Sequence, residues 1–93
     1  MSGKYRLTLY VTGNTPRSQR AIANLLNLCR RQLADRYELS IVDVLEDPER
    51  AEEEHILVTP TLVKEDPPPT QRIIGDLSDL HAVLVGLDLV NDD

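Results

Sequence analysis

Hydrophobic residues alternate along the start of the chain and then change their spacing. Residues 5–12 place apolar side chains at every second position, which predicts a β-strand with one buried face. A threonine and a proline at 15–16 are typical of a helix N-terminus, and apolar residues at three- and four-residue spacing continue this helix to about Asp35. Alternation returns at residues 37–45 and predicts a second strand. Strand, helix and strand over about 40 residues predict a βαβ unit with a right-handed crossover.

Shorter elements follow in the second half of the chain. Residues 48–55 predict a short acidic helix that begins with a proline and is capped by the aspartate before it. Residues 56–63 are typical of a strand, but Pro60 cannot donate to a strand ladder and belongs at a strand start or edge. Residues 64–70 contain three consecutive prolines and predict a stiff loop, and residues 71–74 predict a short strand.

The last apolar segment supports two interpretations. Leucines at three- and four-residue spacing over residues 77–87 predict a helix at 79–90 with Ser78 as its cap. The same segment is rich in valine, and Gly86 and Asp88 are poor residues for a helix interior, so local propensity favours a strand. A weak helix stabilised by packing and a segment with two accessible structures both remain open.

Composition limits the kinds of site that the chain can carry. The 93 residues contain no Trp or Phe, so the core of the single domain expected over residues 1–93 must be aliphatic. Cys29 is the lone cysteine, which excludes an intrachain disulfide, and its place on the apolar side of the first helix predicts a buried, inert thiol. No metal site or cofactor is expected, because no set of ligating residues and no phosphate-binding glycine loop occurs. No apolar run reaches the length of a membrane helix and no signal-peptide pattern opens the sequence, so we expect a soluble cytoplasmic protein without a membrane partner.

Charge is divided unevenly along the sequence. Residues 1–45 carry seven Lys or Arg and three acids, a net charge of +4, whereas residues 46–93 carry three and thirteen, a net charge of −10. Such a split can steer a charged partner into one orientation, or it can reflect two solvated faces of unlike sign. The basic residues are not interleaved with stacking aromatic residues, so nucleic acid is not an expected partner.

The predicted order β-α-β-α-β-β-α resembles the thioredoxin fold of the α/β class. That fold places a proline, usually in the cis form, at the position that Pro60 holds after Thr59. Redox thioredoxins carry Cys-x-x-Cys where the first strand meets the first helix, and residues 13–18 contain no cysteine. Thiol–disulfide exchange needs a thiolate at that place, so redox catalysis is not expected. Neither Ser18 nor Ser78 has an identifiable base, and the sequence therefore predicts a binding module, not an enzyme.

Several segments are similar to the KaiB family. They occur in the family's order and cover nearly all of residues 5–90: LYVTGNTP at 9–16, IVDVL at 41–45, TPTL at 59–62, PPP at 67–69, RIIGDLS at 72–78 and GLDL at 86–89. The resemblance implies a regulator of circadian timing, or of a related stress or timing system, that binds the ATPase ring of a KaiC-type hexamer. A KaiA-like protein and an output histidine kinase are the further partners that it implies.

The same resemblance implies two folds for one sequence. KaiB proteins rest as dimers or tetramers in a different fold, with the second half rearranged, and switch rarely to a monomeric thioredoxin-like fold that docks on the ATPase. Positions that match Gly86 and Asp88 influence this balance.

The resemblance also implies seven positions for partner binding: Arg20, Tyr37, Glu38, Ser40, Glu53, Glu54 and His55. Cyanobacterial members carry lysine where Ser40 and His55 stand and alanine where Glu38 stands, so this surface is less basic here. The alternative that the sequence leaves open is a self-associating module of the KaiB fold with an unrelated partner.

Overall fold

A computed structural model describes residues 4–34 and 36–89 of the chain. The strands and helices of these residues span Tyr5–Val11 (β1), Pro16–Leu28 (α1), Tyr37–Asp43 (β2), Pro48–Glu53 (α2), Thr61–Asp66 (β3), Gln71–Ile74 (β4) and Leu80–Gly86 (α3). This is the element order that the hydrophobic pattern predicts. No helix of the described residues is long and apolar enough to cross a membrane.

The strands form one sheet in the order β2-β1-β3-β4. β1 and β2 are parallel, with Leu9 opposite Ile41, and α1 connects them, so the predicted βαβ unit is confirmed. β3 runs antiparallel to β1, and β4 runs antiparallel to β3. The outer strands of the sheet are therefore β2 and β4.

Side chains of β1 divide between two apolar clusters, because successive residues of a strand point to opposite faces. Leu9 packs with Leu25 of α1 and Leu87, which follows α3, in the larger cluster, and all three are fully buried. Tyr10 points to the opposite face and lies in a smaller cluster, against which Ile56 packs. The region after α2 is thus positioned by the second face of the sheet.

The first helix changes its hydrogen-bond pattern before it ends. α1 continues as a π-turn over Cys29–Leu33, closed by the Ala34 N–H, which donates to the carbonyl of Cys29 at 3.0 Å. Burial raises the pKa of the Cys29 thiol to about 11, so the thiol stays protonated near neutral pH. The predicted end of this helix at Asp35 lies outside the described residues.

Local backbone geometry makes β2 and α2 shorter than predicted. β2 ends at Asp43 and not at residue 45, because the Asp43 carboxylate accepts from the N–H groups of Gly13 at 3.0 Å and Leu45 at 2.9 Å and forms a turn. α2 ends at Glu53, because His55 adopts a left-handed φ of 57° that a helix cannot continue.

The predicted third strand is present and begins directly after Pro60, but its predicted bounds of 56–63 and the predicted loop from residue 64 are wrong. β3 begins at Thr61, directly after the cis Thr59–Pro60 bond, and runs on to Asp66. It extends this far because it pairs with β1, where Lys64 lies opposite Leu7. That pairing joins residues far apart in sequence, so the local pattern does not reveal it.

The helical interpretation of the last segment is confirmed over Leu80–Gly86. Asp79 caps this helix and Ser78 does not, since the Asp79 carboxylate accepts from the Ala82 N–H at 3.2 Å. The helix stops at Gly86, earlier than predicted, and residue 90, where the prediction ended it, lies outside the described residues.

Candidate functional site

Hydroxyl groups occupy the place where β1 meets α1. Thr15 caps α1 by accepting from the Ser18 N–H, and the Thr15 hydroxyl donates to Ser18 Oγ at 2.8 Å. The buried Ser18 Oγ also accepts from the Thr12 N–H at 3.1 Å. The hydroxyl groups of Thr12 and Thr59 form a further hydrogen bond. These contacts hold the Ser18 hydroxyl in a structural role, so the geometry does not present it as a nucleophile.

A groove of about 780 Å³ opens beside these hydroxyl groups. Glu49 and Glu52 of α2 line one part of it, and the segment that leads to Pro60 lines another. Within that segment Leu57 is 92% exposed and Val58 is 48% exposed. Apolar side chains that folding leaves in water beside a groove are candidate contacts for a partner.

Arg72 of β4 fixes the end of α2. Its guanidinium group donates to the backbone carbonyls of Glu54 and His55. Carbonyl groups at a helix C-terminus carry partial negative charge, so a cation stabilises this end. The backbone of His55 is therefore held, while its exposed side chain lines the groove.

The structure places the seven predicted partner-binding residues on three elements. They are Arg20 on α1; Tyr37, Glu38 and Ser40 on β2; and Glu53, Glu54 and His55 at the end of α2. The last three lie at the C-terminal end of α2, where His55 lines the groove and Glu53 and Glu54 do not, and the middle three follow the outer strand of the sheet. Glu38 and Ser40 are exposed there, whereas Tyr37 is half-buried against the larger apolar cluster. Arg20 is joined to neither group, and the binding role of all seven residues stays a prediction.

Arg20 instead belongs to a set of bonds around Asp76. The Asp76 carboxylate accepts from Arg20 Nε at 3.2 Å and from the Ser78 N–H at 3.1 Å, and the Asp76 carbonyl accepts from the Asn24 side chain at 2.8 Å. The hydrogen bonds from Ser78 and then from Arg20 lower the pKa of Asp76. Because the pKa of Asp76 is lower in the folded state, the hydrogen bonds to its carboxylate are complete at neutral pH. They weaken only as the pH falls through that lowered pKa.

Gly86 and Asp88, the predicted fold-balance residues, lie where the chain leaves α3. A Cβ atom at residue 86 would lie 2.9 Å from Cδ1 of Ile73, so glycine allows α3 to approach β4 closely. Asp88 has a left-handed φ of 61°, and its carboxylate lies 3.3 Å from Lys64 Nζ. The Lys64 side chain is fully buried, whereas that of Asp88 is 58% exposed. Both residues therefore hold the end of α3 against the sheet.

Sequence reasoning missed Lys64 and Leu57. Lys64 falls in the predicted loop, and the signal that identifies it is the alternation from Leu62 to Lys64, which places both on one face once β3 is extended. Leu57 and Val58 form an apolar pair between an acidic helix and Pro60, but that pair fits a buried strand equally well. Only the observed backbone shows that they face solvent.

Comparisons with known proteins show which family the chain belongs to. The family model described as KaiB domain matches residues 8–89. The circadian clock protein KaiB3 of a Synechocystis species is 61% identical over 84 residues, which cover 90% of this chain and 82% of that protein. The circadian clock oscillator protein KaiB1 of the same organism is 53% identical over 89 residues, which cover 96% of this chain and 85% of that protein. Neither name states a catalytic activity.

Solved structures extend the likeness to the fold. The N-terminal domain of SasA from Synechococcus elongatus superposes with a TM-score of 0.77 at 26% identity, covering 100% of this chain and 91% of that chain. Mitochondrial thioredoxin 3 from Saccharomyces cerevisiae gives a TM-score of 0.75 at 18% identity, covering 95% and 80%, and this likeness shows the fold alone. The predicted thioredoxin-like α/β class is therefore confirmed. With a family model that spans residues 8–89 and relatives that share more than half of its residues, the chain belongs to the KaiB family, whose members compared above are circadian clock proteins.

Proposed function

We propose that this protein is a non-enzymatic cytoplasmic regulator, in circadian timing or a related stress or timing system, that binds the ATPase ring of a KaiC-type hexamer. The family match supports the kind of system. The observation that carries the binding proposal is the groove beside α2, where Leu57 is 92% exposed next to His55. A partner that covers this leucine gains about 1.5–3 kcal/mol from apolar surface that folding leaves in water.

In this proposal the described fold is the partner-binding state, and a dimer or tetramer with a rearranged second half is the resting state. The contacts of Gly86 and Asp88 support this, because one close approach and one ion pair join the end of α3 to the sheet. Two packings of one sequence need differ by only a few kcal/mol, so contacts of this size can set the balance. A rare binding-competent state lowers the apparent affinity by its own fraction.

The proposal includes two further partners. A KaiA-like protein would use the outer strand β2, where Glu38 and Ser40 are exposed and a free strand edge offers unpaired backbone groups. An output histidine kinase would compete for the ATPase. The fold shared with the N-terminal domain of SasA supports such competition, because two proteins of one fold can present similar surfaces.

The test is to mix the purified protein with the KaiC-type hexamer of its own organism and ATP, and to follow the mass of the complex for hours by native mass spectrometry. We expect a slow gain that approaches one copy per ATPase subunit, with a rate set by the change of fold. Immediate binding would mean that the described fold already dominates at rest. No binding in any nucleotide state would overturn the proposal and favour a self-associating module with an unrelated partner.

A further inference from the structure

The segment between α2 and Pro60 is held at both ends but leaves its middle in water. The Ile56 N–H donates to the carbonyl of Ala51 at 2.9 Å, and the Pro60 carbonyl accepts from the Gly75 N–H at 3.0 Å. Between these two points Leu57 is the most exposed of the large apolar side chains of the described residues. A fixed backbone that presents an exposed leucine is a preformed contact surface, not a fraying loop.

The backbone of this segment is also unpaired. Among residues 4–34 and 36–89, no acceptor is present for the N–H groups of Leu57, Val58 and Thr59. The Val58 carbonyl accepts from the Thr61 hydroxyl at 2.7 Å, but the carbonyls of Leu57 and Thr59 have no donor in that part of the chain. Free N–H and C=O groups on a fixed, exposed segment are a template for an added strand, and such addition gives affinity through the main chain.

The negative charge of the residues that line the groove indicates which peptide sequence would bind as the added strand. Glu49 and Glu52 line the groove, are exposed, and form no ion pair within the described part of the chain. The nearby guanidinium group of Arg72 is occupied by the carbonyls of Glu54 and His55. The groove therefore joins an apolar contact at Leu57 to two uncompensated carboxylates on α2, which attract cations.

We propose that this groove binds an extended peptide segment in which an apolar residue is flanked by Lys or Arg. The peptide backbone pairs with residues 57–59, its apolar side chain covers Leu57, and its cations face Glu49 and Glu52. The inference deepens the proposed function, because it assigns the chemistry of the partner segment that docks at the same surface. It is tested with a free peptide, so its outcome does not depend on the ATPase.

The probe is a fluorescein-labelled peptide Lys-Val-Leu-Val-Lys, with Glu-Val-Leu-Val-Glu as the charge-reversed control, read by fluorescence polarisation and amide NMR shifts. We expect the basic peptide to bind with shifts centred on residues 57–59 and the acidic peptide to bind at least tenfold more weakly, about 1.4 kcal/mol. An N-methylated backbone in the basic peptide should also abolish binding, because it removes the donors of the added strand.

Variants of the protein locate the contact. Leu57→Ser should weaken binding of the basic peptide at least tenfold. Because the Leu57 side chain is exposed, the substitution should not destabilise the fold. The double variant Glu49→Gln, Glu52→Gln should lower the affinity for the basic peptide several-fold and make that affinity less dependent on salt concentration. The matched control, Leu80→Ser on α3, also replaces an exposed leucine and should leave the affinity for the peptide unchanged.

Equal binding of the acidic and basic peptides, or NMR shifts outside the groove, would overturn the inference, and so would an absence of binding at millimolar peptide. The two proposals can fail separately. Peptide binding without formation of a complex with the hexamer would contradict the proposed function but not this inference. If the Leu57→Ser variant still forms the complex with the hexamer and the peptide does not bind the protein, this inference would be contradicted and the proposed function would not.

Discussion

The two halves of the chain pack into the same apolar cluster, but the second half also depends on polar contacts between elements that are distant in sequence. In the first half, Leu9, Leu25 and Leu33 are completely buried in the larger apolar cluster. In the second half Leu62, Val83 and Leu87 are buried in the same cluster, but the elements are shorter, and a polar contact such as that of Lys64 with Asp88 also joins them. Apolar burial is spread over many small contacts, whereas one substitution removes a polar link.

The polar links of the second half join elements that are distant in sequence. Arg72 of β4 holds the end of α2, Asp76 ties the loop before α3 to α1, and Lys64 holds the residues that follow α3. The comparison teaches that single substitutions at these points can loosen the ends of α2 and α3, while β3 stays paired with β1 in the shared core. The proposed change of fold would also have to break the apolar contacts of Leu62, Val83 and Leu87.

The largest loss of stability is expected when the ion pair between Lys64 and Asp88 is broken by replacing the exposed Asp88. Asp88→Gly removes the carboxylate but keeps the left-handed backbone accessible, since glycine adopts positive φ freely. The buried Lys64 ammonium then has no partner in the described part of the chain, and we expect the free energy of unfolding to fall by about 3 kcal/mol. Urea denaturation measures this loss, and amide hydrogen exchange at Val83 shows whether it begins in α3.

Lys64→Met is the matched control for that variant. Methionine fills similar space without a charge, and the exposed Asp88 remains solvated, so the cost should stay below about 1 kcal/mol. Combined with Asp88→Gly, it should restore most of the stability. Equal losses for the two single variants would mean that the unpaired buried cation is not what destabilises Asp88→Gly.

A smaller effect is expected at the link between β4 and α2. Arg72→Met keeps the aliphatic stem but removes the donors to the carbonyls of Glu54 and His55. Because Arg72 is exposed, water replaces these bonds in part, and we expect a loss of about 1 kcal/mol. Hydrogen exchange in α2 should accelerate more than exchange in α1.

Arg17→Met serves as the control for this change. Arg17 is exposed on α1 and forms no hydrogen bond or ion pair with the described residues, so its loss should stay within about 0.5 kcal/mol. Arg72→Lys keeps the charge but not the planar fork of donors, so its loss of stability should lie between those of Arg72→Met and Arg17→Met. A uniform acceleration of exchange in α1 and α2 would argue against a link that acts on the second half alone.

Sequence predicted the first half better than the second, for a physical reason. The alternation of residues 5–12 and the Thr15 cap are local signals, and both correspond to the structure within one residue. The extension of β3 through Lys64 depends on pairing with Leu7, which lies in another part of the sequence. No local pattern contains that information.

The candidate site shows the same limit. The acidic face of α2 and the Thr59–Pro60 pair can be read directly from the sequence. The exposure of Leu57 cannot, because it follows from bonds that distant residues make, such as the one from Gly75 to Pro60. Left-handed backbone at His55 and Asp88 is equally hidden, since neither residue is glycine.

The smallest effect is expected at Gly86, where two contributions oppose each other. Alanine is the better helix former by about 1 kcal/mol. Its Cβ would lie 2.9 Å from Cδ1 and 3.1 Å from Cγ1 of Ile73, so the isoleucine must move. Because Cδ1 is the free end of a flexible side chain, the movement is inexpensive, and we expect Gly86→Ala to change the free energy of unfolding by less than about 0.5 kcal/mol.

Ile73→Val separates the two contributions, because valine lacks the Cδ1 atom that makes the closest contact with residue 86. Measured by urea denaturation in the Ile73→Val background, Gly86→Ala should stabilise the protein by part of the helix-propensity gain of about 1 kcal/mol, because valine keeps a Cγ atom at the 3.1 Å contact. An alanine that destabilises equally in both backgrounds would mean that the tip of Ile73 does not limit the approach of α3 to β4. α3 would then be packed on the sheet as firmly as α1 is, and the contrast between the two halves would rest on Arg72, Asp76 and Asp88 alone.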